Sequence, residues 1–254
     1  MTTVQRWEAA RRRAVARAFS EVPYYREQWA AAGRRLDEPA PAASAGLADQ
    51  LFRLCPLGSP FRPTREPSLW LAETATLRAA LAVAAPSRLP VIEAGPSMLD
   101  RRTLDRGRPY AVILPPGADV VDESRRRALN ERAVGLAAGS GAVVVGARDE
   151  LDAVLPEIIA PSLITVVRAS AAEAITTSGP VVAHDPALGY LAARHPACGA
   201  LHLLWRHHHA RVVDGVLQVT SLRRRRPTLC SVVPHDSGGV TVDRCHAHDT
   251  PTLA

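Results

Sequence analysis

Ten cysteines and histidines crowd the chain from Cys198 onward: Cys198, His202, His207, His208, His209, Cys230, His235, Cys245, His246 and His248. Thiolate and imidazole are the ligand types that zinc prefers, held tetrahedrally in structural sites. Cys198-x3-His202, then Cys230, then Cys245-His-x-His offers such a set, and the expected ligands are Cys198, His202, Cys230 and Cys245. The same residues also fit buried thiols among surface histidines. Histidine titrates near neutral pH, so His207 and His209, two apart on a predicted strand, would share a face as an acid/base pair. His184 and Asp185 follow an apolar run, where an open sheet exposes the carboxyl end of a strand to ligands. Asp236 completes the candidate catalytic groups.

The chain of 254 residues has 31 basic residues and every one is arginine. Schiff-base formation and lysine-assisted phosphate transfer are therefore excluded, because arginine stays protonated and acts as a rigid fork. Net charge is +6, gathered in short runs at Arg11–Arg13, Arg34–Arg35, Arg125–Arg127 and Arg223–Arg226. Such runs are commonly solvated faces. Stacking aromatics are not interleaved with them, which argues against nucleic acid. An anionic ligand or partner is the alternative, with Arg223 and Arg224 the expected contacts for coenzyme A phosphates or an acidic carrier protein. No apolar run reaches the roughly 18 residues of a membrane span. The Arg-rich start is unlike a secretory signal, and the scattered cysteines suit a reduced, cytoplasmic protein.

These groups need elements to position them. Residues Thr3 to Gly33 read as helical with a break at Pro23, and Leu47 to Leu54 reads as a further helix. From Pro90, strands at Tyr110–Leu114, Ala142–Val145, Leu163–Val167 and Pro180–Ala183 alternate with helices at Asp122–Ala138, Glu150–Ile159 and Ala169–Ile175. That order predicts an α/β fold with a mostly parallel, doubly wound sheet. After Cys198, short strands around an Asp214-Gly215 turn predict a smaller antiparallel part. The expected organisation is an N-terminal helical segment (1–67), an α/β core (68–194) and a β-rich segment (195–254), forming one compact unit. No Gly-x-Ser-x-Gly elbow is present, so a serine-hydrolase reading lacks support.

Three segments together resemble the phenylacetate–coenzyme A ligase branch of the adenylate-forming ligases. "AFSEVPYYREQWAAAG" is similar to that branch's helix-Pro-Tyr-Tyr-Arg start. "ALHLLWRHHHARVVDGVLQVTSL" resembles its Leu-His strand, following histidine, Asp-Gly turn and Thr-Ser-Leu strand end, here Leu201-His202, His207, Asp214-Gly215 and Thr220-Ser221-Leu222. "DRCHAHDTP" keeps only Cys245 of the family's Cys-x-Cys-Gly-Arg. Asp236, sixteen residues past Thr220, matches the Asp that holds ribose hydroxyls in the family.

The departures are as telling. Where the family carries a Gly-rich phosphate loop the chain reads "PLGSPFRPTREPSLWLAE", and where Tyr-Gly-x-Thr-Glu should stand it reads "AHDPALGYLAA". The arginines before the ribose Asp are replaced by "CSVVPH", and the family's lysine-bearing lid is expected to be absent. Adenylation relies on such donors to stabilise a transferring phosphoryl group. The resemblance therefore implies a ligase scaffold without ATP turnover. It would bind an acyl or aryl intermediate, coenzyme A- or carrier-linked, in bacterial secondary metabolism. Zinc-assisted or acid/base hydrolysis, cyclisation or elimination is one expectation. The other is a non-catalytic accessory that stabilises a partner enzyme.

Overall fold

The structure, a computed structural model, describes residues 3–60, 74–95, 103–104, 107–116, 118 and 122–254. Of the stretch compared with a phosphate loop, residues 61–73 lie outside the described residues. Two helices open the chain, α1 (Thr3–Glu21) and α2 (Pro23–Ala31). Pro23 stands in the first turn of α2, where its missing N–H costs nothing, and Val22 is extended, so the break falls where the sequence places it. Trp7, Ala14, Val15, Ala18 and Phe19 form the buried stripe of α1.

A nine-stranded sheet forms the centre. Its strands are β2 (Val91–Ala94), β3 (Tyr110–Ile113), β4 (Ala142–Gly146), β5 (Leu163–Ala169), β6 (Val181–Asp185), β7 (Gly189–Arg194), β8 (Leu201–Leu203), β12 (Val242–Cys245) and β13 (Thr250–Leu253). Their order is β12-β13-β8-β7-β6-β5-β4-β2-β3. Pairs from β6 across to β3 are parallel. Pairs from β6 across to β12 are antiparallel. The protein is thus α/β with a large mixed sheet, rather than a mostly parallel one. The cause is local: Asp185 to Gly189 makes a tight turn, so β7 returns beside β6 instead of crossing over through a helix. The sheet runs through the 194/195 boundary by β7–β8 pairing.

Both faces of the parallel half are apolar, so its strands read as continuous hydrophobic runs. One face (Val91, Val112, Val143, Val145, Val166, Val182) packs against Leu77, Ala80 and Leu81 of α3 (Thr74–Ala84). The other (Ile92, Ala94, Ala111, Ile113, Val144) packs against α4 (Glu123–Ser140) and α5 (Arg148–Val154). Asp122 caps α4 by accepting the Arg125 N–H at 3.0 Å. Gly141 ends it at φ +83, where any Cβ would sit 2.4 Å from the Ser162 carbonyl oxygen. A short α6 (Ala171–Thr176) precedes β6.

A second sheet has the order β1-β11-β10-β9, from β1 (Ala42–Ala43), β9 (His208–Val213), β10 (Val216–Ser221) and β11 (Val232–Val233). Asp214 and Gly215 both have positive φ, the geometry of a two-residue hairpin turn. The helices α1 and α2 cover this sheet. Trp7 Nε1 donates to the His208 carbonyl at 2.8 Å, and Tyr25 Oη donates to the Thr228 carbonyl at 3.2 Å. The helix expected over Leu47–Leu54 is replaced by a short 3-10 turn at Ala48–Gln50 followed by further turns, just after another 3-10 turn at Ser44–Gly46. Eight residues repay helix nucleation poorly. Among the described residues no helix is long and apolar enough to cross a membrane.

Candidate metal centre

Two turns at one edge of the large sheet meet face to face. The β7–β8 turn carries Cys198, β8 carries His202, and the end of β12 and the turn after it bring Cys245 and His248. One ligand-type atom from each of the four lies within 4.8 Å of all the others. Cys198 Sγ is 3.1 Å from His202 Nε2, 3.9 Å from Cys245 Sγ, and Cys245 Sγ is 3.4 Å from His248 Nδ1. The two sulfurs are far beyond the roughly 2.05 Å of a disulfide.

Strand pairing builds this convergence. Thr252 on β13 pairs with His202 on β8, so the hairpin carrying Cys245 and His248 is locked in register against the ligand strand. His202 Nδ1 lies 2.9 Å from Thr250 Oγ1. With Nδ1–H donating to that hydroxyl, Nε2 turns its lone pair toward Cys198, the arrangement that outer-shell partners impose on metal-bound histidine. The Cys245 thiol is held down to about 7, chiefly by its hydrogen bond with His248 and further by backbone N–H groups and Cys198. Burial lowers His202, and His248 and His195 lower it further. A group of this kind could bind a metal ion as thiolates and neutral imidazoles.

Three of the four expected ligands, Cys198, His202 and Cys245, are brought together; Cys230 is not. It is fully buried beneath α2, its backbone N–H donates to Tyr25 Oη at 2.9 Å, and burial pushes its thiol up to about 12. His248 stands in its place, supplied by the Cys-His-x-His run. His195 was not singled out by sequence. Its ring lies 4.3 Å from His248 and 5.2 Å from His202, beside the group.

The candidate catalytic residues are dispersed, and most are spent on folding contacts. Asp185 is buried; its Oδ1 accepts the N–H groups of Ala187 and Leu188 at 2.9 and 3.0 Å, and Oδ2 accepts that of His235 at 2.8 Å. Asp236 accepts the Ser170 hydroxyl at 2.7 Å beside the start of α6. His209 Nε2 is 2.8 Å from Glu8 Oε1, and its ring packs on Trp7 at 4.1 Å, fastening α1 to β9. His207 and His209 do not form a pair. His207 is half-buried in the turn before β9, and burial with Arg223, Arg78 and Arg206 lowers it to about 4. Arg224 donates to the Ala187 carbonyl at 3.2 Å, while Arg223 is exposed.

His184 lies in a second polar group, at the carboxyl ends of the parallel strands and under α3. Its ring meets Tyr190 edge-on at 4.8 Å, and burial, then Arg168, lowers it to about 3. Arg168 on β5 donates to Glu93 at 3.3 Å, to Glu150 at 2.6 Å and to the Ala94 carbonyl at 3.0 Å. Tyr110 and Tyr190 both donate their hydroxyls to Glu93. Gly146 permits the close fit, since a Cβ there would come 2.8 Å from Ala94 Cβ.

His208 is buried with Nε2 3.0 Å from the Tyr190 carbonyl and is lowered to about 3, mainly by burial. Both His184 and His208 are therefore neutral when folded and protonate near 6.5 when unfolded. The folded state binds fewer protons between those values. Stability is full above about pH 6.5 and falls as pH drops toward 3, by up to about 1.4 kcal/mol per pH unit for each histidine. His208→Gln keeps a donor to Tyr190. Its urea-unfolding free energy should fall less steeply than wild type between pH 6.5 and 4.5. Identical slopes would show that His208 does not contribute. Metal loss cancels in this comparison because both proteins retain the four-residue group.

No protein-family model matches this chain, and no curated protein matches it at a significant level.

Proposed function

We propose that the protein is a zinc-braced binding protein on a scaffold like that of the phenylacetate–coenzyme A ligase branch. It holds an acyl or aryl group, delivered on coenzyme A or a carrier protein in bacterial secondary metabolism, without ATP turnover. The observation that carries the zinc-braced part of this reading is the Cys198–His202–Cys245–His248 group. A mixed thiolate and imidazole set selects zinc, and four protein ligands leave no open position, which marks a structural rather than a catalytic ion. With zinc about 2.3 Å from each sulfur, a tetrahedron sets the sulfurs about 3.8 Å apart. They stand at 3.9 Å. Engagement of Asp185, Asp236 and His209 in folding contacts supports binding over acid/base catalysis.

The test is calorimetric titration with an aryl-coenzyme A thioester, alongside pyrophosphate exchange with the matching acid and ATP. Thioester binding without exchange is expected. Exchange above background would sink the reading, as would a thioester that turns over at a rate abolished by His207→Ala.

A further inference from the structure

We infer that Cys198 and Cys245 form a reversible oxidation site, at which hydrogen peroxide joins the two sulfurs in a disulfide and expels the zinc. The other two cysteines are withdrawn into the core, Cys55 at 1% exposure and Cys230 at 0%. Cys198 and Cys245 stand 3.9 Å apart, sulfur to sulfur. Both line an open groove of about 520 Å³, with Arg194, Gly199 and His246 beside them. Hydrogen peroxide, little larger than water, enters such a groove freely. Cys198 is the more exposed of the pair.

The backbone, rather than the ion, brings the pair together. Cys245 pairs with Thr250 and Thr252 with His202, so the ladder sets β12 and β13 against β8. The turn bearing Cys198 is closed by the His195 N–H donating to the Ala200 carbonyl at 3.0 Å and the Gly199 N–H donating to the His195 carbonyl at 2.8 Å. The turn after Cys245 is closed by the Asp249 N–H donating to the Cys245 carbonyl at 2.8 Å. The sulfurs therefore stay neighbours when zinc leaves. A disulfide needs them about 1.9 Å closer, at about 2.05 Å.

The Cys198 thiolate, the one peroxide reaches first, attacks a peroxide oxygen. The O–O bond breaks, leaving a sulfenic acid on Cys198 and a hydroxide. The Cys245 thiolate attacks that sulfur, the S–S bond forms, and the S–O bond breaks with loss of a second hydroxide. Each hydroxide takes a proton to become water. The two sulfurs lose two electrons between them and the peroxide gains both. With both thiolates gone, only two imidazoles remain, and the zinc ion departs. The disulfide then joins the same two turns that the ion braced. In a reducing compartment such a bond is transient and redox-sensing, and a small thiol reverses it by exchange. The inference rests on the zinc-braced reading for the ion it releases, and on the sulfur pair alone for the bond it forms.

The experiment treats the zinc-loaded full chain with a small molar excess of hydrogen peroxide. A chromophoric chelator reads the zinc released, and peptide mapping without reductant reads the bond. Release of about one zinc per chain is expected. The chain should become about 2 Da lighter, with the Cys198 and Cys245 peptides cross-linked. Dithiothreitol with added zinc should restore the starting state. Cys230→Ala should behave as wild type, and Cys198→Ser should show neither cross-link nor mass loss. A cross-link to Cys55 or Cys230, sulfinic acid in place of the disulfide, or mass loss in Cys198→Ser overturns the site. Zinc bound without a cross-link after peroxide overturns the site and leaves the brace standing. A Cys198–Cys245 cross-link in a chain that takes up no zinc supports the site and overturns the brace. If neither zinc nor cross-link is found, both fail.

Discussion

Replacing Cys245 with serine should cut zinc from one per chain to below a tenth, with a melting temperature lower by about 10 °C. Structural zinc contributes its binding energy to folding because the unfolded chain has no preformed site. Cys245 is the member of the group that links the β12–β13 hairpin to the turn holding Cys198. Loss of about 4 kcal/mol, at about 2–4 °C per kcal/mol for a chain of this size, gives the expected shift. Cys230→Ala is the matched comparison. It leaves a small cavity in the core but should keep full zinc, because Cys230 is not in the group. Elemental analysis of untagged protein and calorimetric melting read both. Wild-type protein without zinc, or Cys245→Ser melting like wild type, would leave the four residues as packing only.

Arg168→Met should cost about 3–5 kcal/mol, the usual range when one partner of a buried ionic group is removed. Glu93 and Glu150 both rely on Arg168 from within the sheet, at 22% and 16% side-chain exposure. Without the guanidinium the two carboxylates face each other with only tyrosine hydroxyls and a backbone N–H as donors. Burial alone would lower the Arg168 pKa; Tyr190, Glu93 and Glu150 together raise it, so the cation is firmly held. Urea unfolding of wild type and variant at pH 7 reads this. A cost under about 1 kcal/mol would show that the group is solvated well enough to spare its cation.

The parallel half was legible because strands buried on both faces must be continuously apolar. Tyr110–Leu114, Ala142–Val145 and Leu163–Val167 announce themselves. The strand β7 was not, since Gly-Tyr-Leu-Ala-Ala-Arg has no alternation and its direction depends on the Asp185 turn rather than on its own residues. The strand β13 was hidden by length and by Pro251. Three of the four residues in the Cys/His group could be named because their types are few in this chain. The fourth could not be chosen by spacing. Whether Cys230 or His248 reaches the turn depends on which strand lies beside β8, a long-range pairing that no local pattern encodes. The acid/base expectations counted histidines and carboxylates without their partners. Asp185 and His209 are committed to backbone and helix contacts that appear only after folding.

The placement of β13 sets an order of assembly. It lies between β8 and β12 and bonds to both, yet it is the last of the nine strands to be made. While the chain is growing, β8 therefore presents an open flank to its surroundings, and the sulfur and imidazole of Cys198 and His202 wait without their partners. An unpaired strand flank invites pairing with another chain. The turn carrying His248, arriving in the same short hairpin as the missing strand, would close that flank and cap it in a single event. The nascent chain thus stays vulnerable to aggregation until β13 emerges.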